Sequence, residues 1–249
     1  MAVEPVDILV FGAHADDIEL SCGGTVAVAA DNGKRVGLVD LTRGEMGTRG
    51  TPETRVTESM NAAKILGAIF RETLDLGDGG LRTGREQELE VVDIIRRARP
   101  SIVIAPYPDD RHPDHARAGN LITDAAFYAG LARLNTGADA TDKELPAHRP
   151  QAVLYYILNY PVPPSLIVDV SSVWDRRTEA VTAYRSQFYN PKSEEEPTLI
   201  SKKSFLEWID GRARYYGSQI GADYGEPFVS KQPPKINDLV AAYSGRELS

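Results

Sequence analysis

Four apolar runs rich in β-branched residues, each followed by a stretch of helical periodicity, leave this chain very few ways to fold. The runs are 6–13 ("VDILVFGA"), 35–41 ("RVGLVDL"), 70–76 ("FRETLDL") and 101–107 ("SIVIAPY"), and helical patterns fill 22–33, 53–67 and 85–99 between them. Strands that alternate with helices of about 10–15 residues imply βαβ units and a parallel sheet. Such crossovers are right-handed, so helices should cover both faces, and the expected fold class is α/β with a Rossmann-like, mostly parallel sheet. A length of 249 residues suits one domain over 1–249. Beyond the fourth run come an Ala-rich helical segment at 115–134, a polar loop at 135–150 and two further strand candidates, "AVLYYIL" and "LIVDVS". Helices at about 172–189 and 201–222, parted by the charged loop "NPKSEEEPT", are expected to pack on that core. Prolines around "GEPFVSKQPP" suggest a short edge strand near Phe228 and Val229.

Open parallel sheets bind ligands at the carboxyl ends of their strands. There the sequence places polar loops: "AHADD" after the first strand, "TRGEMGTRGTPETR" after the second, "GDGGLR" after the third and "PDDRHPDHAR" after the fourth. Three of the chain's four histidines, His14, His112 and His115, fall in two of these loops beside Asp16, Asp17 and Asp114. With a single cysteine, Cys22, no Cys-rich metal site is available, so any metal must be held by His and carboxylates. Such a donor set suits a catalytic zinc with an open position for water. Aspartate and histidine also cap helices and build turns, but two such clusters at neighbouring strand ends favour a site. His148 reads as loop chemistry and Cys22 as core.

A net charge of −8 with both signs interspersed argues against nucleic acid or an anionic membrane surface as partner, leaving a small molecule. No apolar run approaches the ~20 residues of a membrane span, and the N-terminus lacks a basic region followed by an apolar one, so a cytoplasmic location is expected. The "SCGG" at 21–24 invites a dinucleotide reading, but the first strand leads into H-A-D-D rather than G-x-G-x-x-G. A phosphoesterase would want two metals and more bridging carboxylates.

The pair "AHADDIEL" and "RHPDHA", with "LTRGEMGTRG" and "ETRVTESMNAAKILG" between them, resembles the LmbE-like, or PIG-L, family of zinc-dependent N-deacetylases over about residues 6–190. Within it, the chain looks most like the bacillithiol-biosynthesis deacetylases, which act on N-acetylglucosaminyl malate. The resemblance implies the LmbE-like deacetylase fold, a multimer, and Zn2+ or, in the same donors, Fe2+. It implies His14, Asp17 and His115 as metal ligands and Asp16 as general base. His112, as imidazolium, would stabilise the tetrahedral intermediate, and Asp114 would orient a histidine. Arg55 and Arg111 match sugar- and carboxylate-contacting arginines, Glu45 would reach sugar hydroxyls, and Tyr184 and Gln187 lie in the site-proximal segment "AYRSQF". One position departs: the family usually has proline where this chain has Ala15. Mycothiol-type inositol conjugates and simple N-acetylglucosamine are alternative substrates, and a nucleotide- or carbohydrate-binding module without catalysis is the alternative from another class.

Overall fold

The computed structural model describes residues 4–136 and 145–243. Five strands run parallel: β1 (Ile8–Gly12), β2 (Val36–Asp40), β3 (Phe70–Thr73), β4 (Ile102–Pro106) and β5 (Ala152–Tyr156). The helices between them are α1 (Asp17–Asp31), α2 (Pro52–Leu66), α3 (Arg85–Ala98) and α4 (Pro113–Ala129). β6 (Leu166–Asp169), α5 (Trp174–Thr182), α6 (Lys203–Ser218), β7 (Gly225–Ser230) and a short α7 (Leu239–Tyr243) follow. The sheet order is β3-β2-β1-β4-β5-β7-β6.

Each central strand is buried on both faces, which is why it reads as a continuous apolar run. In β1, Val10 joins Ile18, Val26 and Leu38 in the core beneath α1, α2, α5 and α6. Its neighbours Leu9 and Phe11 point the other way, into the core with Val91 and Ile95 of α3 and Leu121 of α4. The chain runs outward from β1 to β3 and then returns to lay β4 on the free side of β1. That reversal opens a crevice between the loops after β1 and β4, the place where open α/β sheets bind their ligands.

Several expectations are corrected. Phe228 and Val229 lie in β7, which is not an edge: it pairs antiparallel with both β5 and β6, and β6 forms the edge. Pro227 is tolerated because pairing with β5 stops at Tyr156↔Phe228, one residue short of it, so its missing N–H costs no ladder bond there. The expected helix at 172–189 is a 3-10 turn (Ser171–Val173) and then α5, which ends at Thr182. Beyond it Ser186 is drawn away by Glu58, whose carboxylate accepts its N–H (2.8 Å) and its hydroxyl (2.6 Å). α1 starts five residues before the expected 22, at Asp17, and is interrupted at Cys22. Of the polar loop expected at 135–150, residues 137–144 lie outside the described residues. Among the described residues no helix is long and apolar enough to cross a membrane.

Candidate active site

The loop after β1 turns sharply. A Cβ on Gly12 would sit 2.8 Å from the His14 carbonyl, so only glycine lets the strand end that close to the turn. Asp16 holds φ 118°, ψ −25°, a left-handed conformation that costs a non-glycine residue about 1–3 kcal/mol. It occupies the N-cap position of α1, yet its side chain caps nothing and faces the pocket instead. The Asp17 carboxylate accepts the His14 N–H (2.9 Å) and fixes the turn.

The loop after β4 is regular. Pro113 sits at the first position of α4, and Nδ1 of His112 accepts the Asp114 N–H (3.2 Å) as the helix cap. Asp110, two residues upstream, accepts the His112 N–H (3.0 Å) and lies 2.8 Å from Nδ1 of His115. Asn159, three residues beyond β5, holds the same carboxylate through its backbone N–H (3.0 Å) and its amide Nδ2 (2.8 Å).

The two loops meet. His115 Nε2 is 3.2 Å from Asp17 Oδ1, and His14 Nδ1 is 3.6 Å from Asp17 Oδ2. The His14 and His112 rings stand 4.8 Å apart, as do those of His112 and His115. Among the described residues two groups have ligand atoms all within 4.8 Å of one another, His14 with His112 and His115, and His14 with Asp78 and Asp114. The expected set His14, Asp17 and His115 is joined by the pairwise contacts of Asp17. Nitrogen and carboxylate donors packed this closely fit a divalent transition metal.

Electrostatics divides the cluster. Burial penalises the charged form of His14 and His115, but neighbouring carboxylates win. Asp114, Asp17 and Asp78 hold His14 well above its ordinary value, and Asp17 with Asp110 lifts His115 to about 9. Burial likewise opposes the Asp17 anion, yet His115 and His14 keep its carboxyl well below the usual range. The hydrogen bond from His14 takes Asp78 down to about 2. Asp16 goes the other way: burial pushes its carboxyl up to about 7, against the pull of Arg55. Adjacent aspartates thus have opposite characters, one a fixed anion and one poised to exchange a proton near neutrality.

His112 is set apart from the other two histidines. Burial and the positive His14 and His115 beside it lower its pKa, and its Nδ1 is committed as an acceptor. With Nδ1 taken as an acceptor, the proton of its neutral form sits on Nε2. Asp114 Oδ2 accepts the Gly79 N–H (2.7 Å) and lies 3.6 Å from His14 Nε2, whose hydrogen-bond partner is Asp78 Oδ1 at 3.1 Å.

Of the expected substrate contacts, Arg55 and Arg111 line the pocket with His14, Asp16, Asp17, His112 and His115. Arg55 is buried, its Nη2 bonded to the side-chain carbonyl of Gln187, which in turn donates to the Arg49 carbonyl (2.7 Å). Gln187 thus holds an arginine rather than facing the pocket. Arg111 is exposed at the mouth. Glu45 instead accepts the Asp78 N–H (2.7 Å), clasping two loops together. Tyr184 is fully buried, its hydroxyl has no partner among the described residues, and it does not line this pocket. Sequence reasoning misses Asp78, Asp110 and Asn159, although Asp78 and Asp110 stand in two of the strand-end loops.

The pattern of the PIG-L family, described as GlcNAc-PI de-N-acetylase, matches residues 9–126. A diacetylchitobiose deacetylase of Thermococcus kodakarensis is 34% identical over 229 residues, covering 88% of this chain and 80% of that protein. A 4-oxalmesaconate hydratase of Pseudomonas putida is 26% identical over 196 residues, 72% of this chain and 73% of that one. Among solved structures, a conserved protein from Thermus thermophilus superposes with a TM-score of 0.81 at 39% identity, covering 94% of this chain and 98% of the other.

Proposed function

Because the chain belongs to the PIG-L, LmbE-like family of deacetylases, we propose that its pocket hydrolyses the acetamide of an N-acetylglucosaminyl conjugate with the help of one divalent metal, held by His14, Asp17 and His115. The observation that carries the reading is the split between Asp17, a buried anion between two imidazoles, and Asp16 beside it, lifted to about 7 on the pocket wall. When bound there, a zinc or iron ion would acidify water and polarise a carbonyl. Asp16 accepts the proton of the attacking water and returns it to the departing amine, so that water and the N-acetyl compound give acetate and a free amine. The Nε2–H of neutral His112 faces the oxygen of the tetrahedral carbon, a donor worth several kcal/mol when preorganised. Asp110 and Asp78 hold His115 and His14 in place, as carboxylates behind metal-binding histidines do.

For the sugar's partner, the 34% identical relative is named for diacetylchitobiose, an uncharged disaccharide. That conjugate ranks first. The malate conjugate expected from the sequence rests on Arg111, whose guanidinium at the pocket mouth suits carboxylates. The likeness to a hydratase supports a second reading, addition of water to a C=C bond in the same pocket.

The test is acetate release from N,N'-diacetylchitobiose, N-acetylglucosamine, N-acetylglucosaminyl malate and its inositol analogue, with zinc- and iron-loaded protein. Release from at least one, abolished by chelation, is expected. Hydration of 4-oxalmesaconate without any acetate release would replace this reading with the second.

A further inference from the structure

α1 carries Asp17 in its first turn, and it is two helical pieces rather than one. Cys22, at φ −145°, ψ 18°, breaks the ladder. The bonds lost there are replaced from the C-terminal third of the chain. The Glu226 carboxylate of β7 accepts the N–H groups of Gly24 (2.8 Å) and Thr25 (2.6 Å) and the Thr25 hydroxyl (2.7 Å), capping the second piece with a negative charge. Gly24 makes the approach possible: a Cβ there would stand 2.7 Å from Val170 and 2.9 Å from Glu226 Oε1. This accounts for "SCGG" without a nucleotide. The Leu20 carbonyl, left over at the end of the first piece, accepts Nη2 of Arg177 (2.7 Å) and Nη2 of Arg212 (2.7 Å).

Arg212, on α6, does more than cap. Its Nη1 donates to the Leu158 carbonyl and, at 3.4 Å, to that of Ile157. Leu158 precedes Asn159, which grips Asp110, which holds His115. One planar guanidinium therefore bridges the carbonyl ending the Asp16–Asp17 turn and the backbone that orients His115. Arg177 is buried and Arg212 half-buried, and the loss of water around each guanidinium lowers its pKa to about 10. Burial of that kind is a poor way to gain stability, which leaves geometry as its use.

We propose that Arg212 is a positioning residue that sets the spacing between the two halves of the site, the Asp16–Asp17 turn after β1 and the Asp110–His115 loop after β4. The idea rests on the metal-dependent reading above, but metal affinity tests it without any substrate. Lysine, a single point charge, cannot span both carbonyls as the guanidinium fork does.

The experiment compares Arg212→Lys and Arg212→Met with Arg176→Ala, a control on α5. Arg176 holds the far piece of α1 through Ala27 O (3.0 Å) and Asp31 (2.7 Å), away from the pocket. Metal affinity by chelator competition, kcat, KM and Tm are read for each. Both Arg212 variants should bind zinc about tenfold more weakly and lose about tenfold or more in kcat, with KM within about twofold, the scale of losing a group behind a metal ligand. Arg176→Ala should lower Tm alone. Wild-type metal affinity and kcat per folded chain in Arg212→Lys would overturn the proposal, as would an equal loss in Arg176→Ala. If Arg212→Met does not fold, the lysine variant decides by the same measures. A wild-type protein that binds zinc tightly but releases no acetate would overturn the proposed reaction and leave this comparison to be read from affinity.

Discussion

The loop after β4 is built by local chemistry, whereas the loop after β1 is held in shape from the far end of the chain. In the first, a histidine cap, Pro113 at the helix start and Asp110 two residues upstream fix His112 and His115 within one short segment. In the second, Asp16 stays in a left-handed conformation without a cap, and the helix behind it breaks after one turn, its loose ends taken by Arg177, Arg212 and Glu226. The regular loop supplies groups with fixed roles. The irregular one carries Asp16, the proton acceptor of the proposed reaction, and strain at such a place is stable only when the surroundings over-determine it.

The largest effect should come from the irregular loop. Asp16→Asn removes the proton acceptor but keeps the shape, and kcat for acetate release should fall by about 10²–10⁴ with zinc affinity within a few fold of wild type. Equal losses in affinity and rate would make Asp16 a ligand and collapse the division between the two aspartates. The regular loop should fail differently. Asp110→Ala leaves His115 without the carboxylate 2.8 Å from its Nδ1, so zinc affinity should drop about 10–100-fold. Competition against a chromophoric chelator measures it, and an unchanged affinity would show that Asn159 and Asp110 merely tie loops together.

Glu226 tests the remote support through stability. Glu226→Gln keeps one acceptor oxygen but turns the other into an amide NH2, which cannot serve the donors of both Gly24 and Thr25, and should cost about 1–3 kcal/mol. Burial, against the pull of Thr25 and Arg177, raises the Glu226 pKa in the folded chain. A raised folded value means that the stabilisation is fully present below the unfolded pKa of about 4.3 and is lost as pH rises through the folded one. Wild-type stability should therefore fall as pH rises across that window, and this pH dependence should be absent in the variant, as urea denaturation of both proteins would show. A deficit that widens with pH would mean that the bonds to the anion outweigh its burial.

What the sequence shows plainly is what neighbours in sequence decide. Continuous apolar runs mark β1 to β5 and period-3.6 patterning marks α2 to α4, and the spacing of His14, Asp16, Asp17, His112 and His115 marks the half-sites. What it hides is decided by pairing across the chain. Nothing near Arg212 or Glu226 says that their targets are a carbonyl 192 residues and an N–H group 202 residues upstream. Asp110 reads as one of several turn aspartates until the sheet brings Asn159 beside it. Tyr184, buried away from the pocket lining, and Glu45, turned to the Asp78 N–H, make the same point: proximity in sequence to a site segment says little about which way a side chain points.

The smallest effect probes whether the irregular loop needs its freedom. Ala15 is buried, its N–H donates to no partner among the described residues, and it precedes the left-handed Asp16. Proline, the usual residue at this place in the family that the chain resembles, would therefore sacrifice no hydrogen bond and would narrow the unfolded ensemble. Ala15→Pro should stabilise the protein by about 0.4–1 kcal/mol in thermal denaturation and leave kcat within about twofold. If the variant loses stability, the backbone at Ala15 lies away from the φ near −65° that proline requires. If instead it gains stability but loses activity, the turn carrying Asp16 must flex during turnover, and the contrast between a fixed loop and an adjustable one becomes part of how the site works.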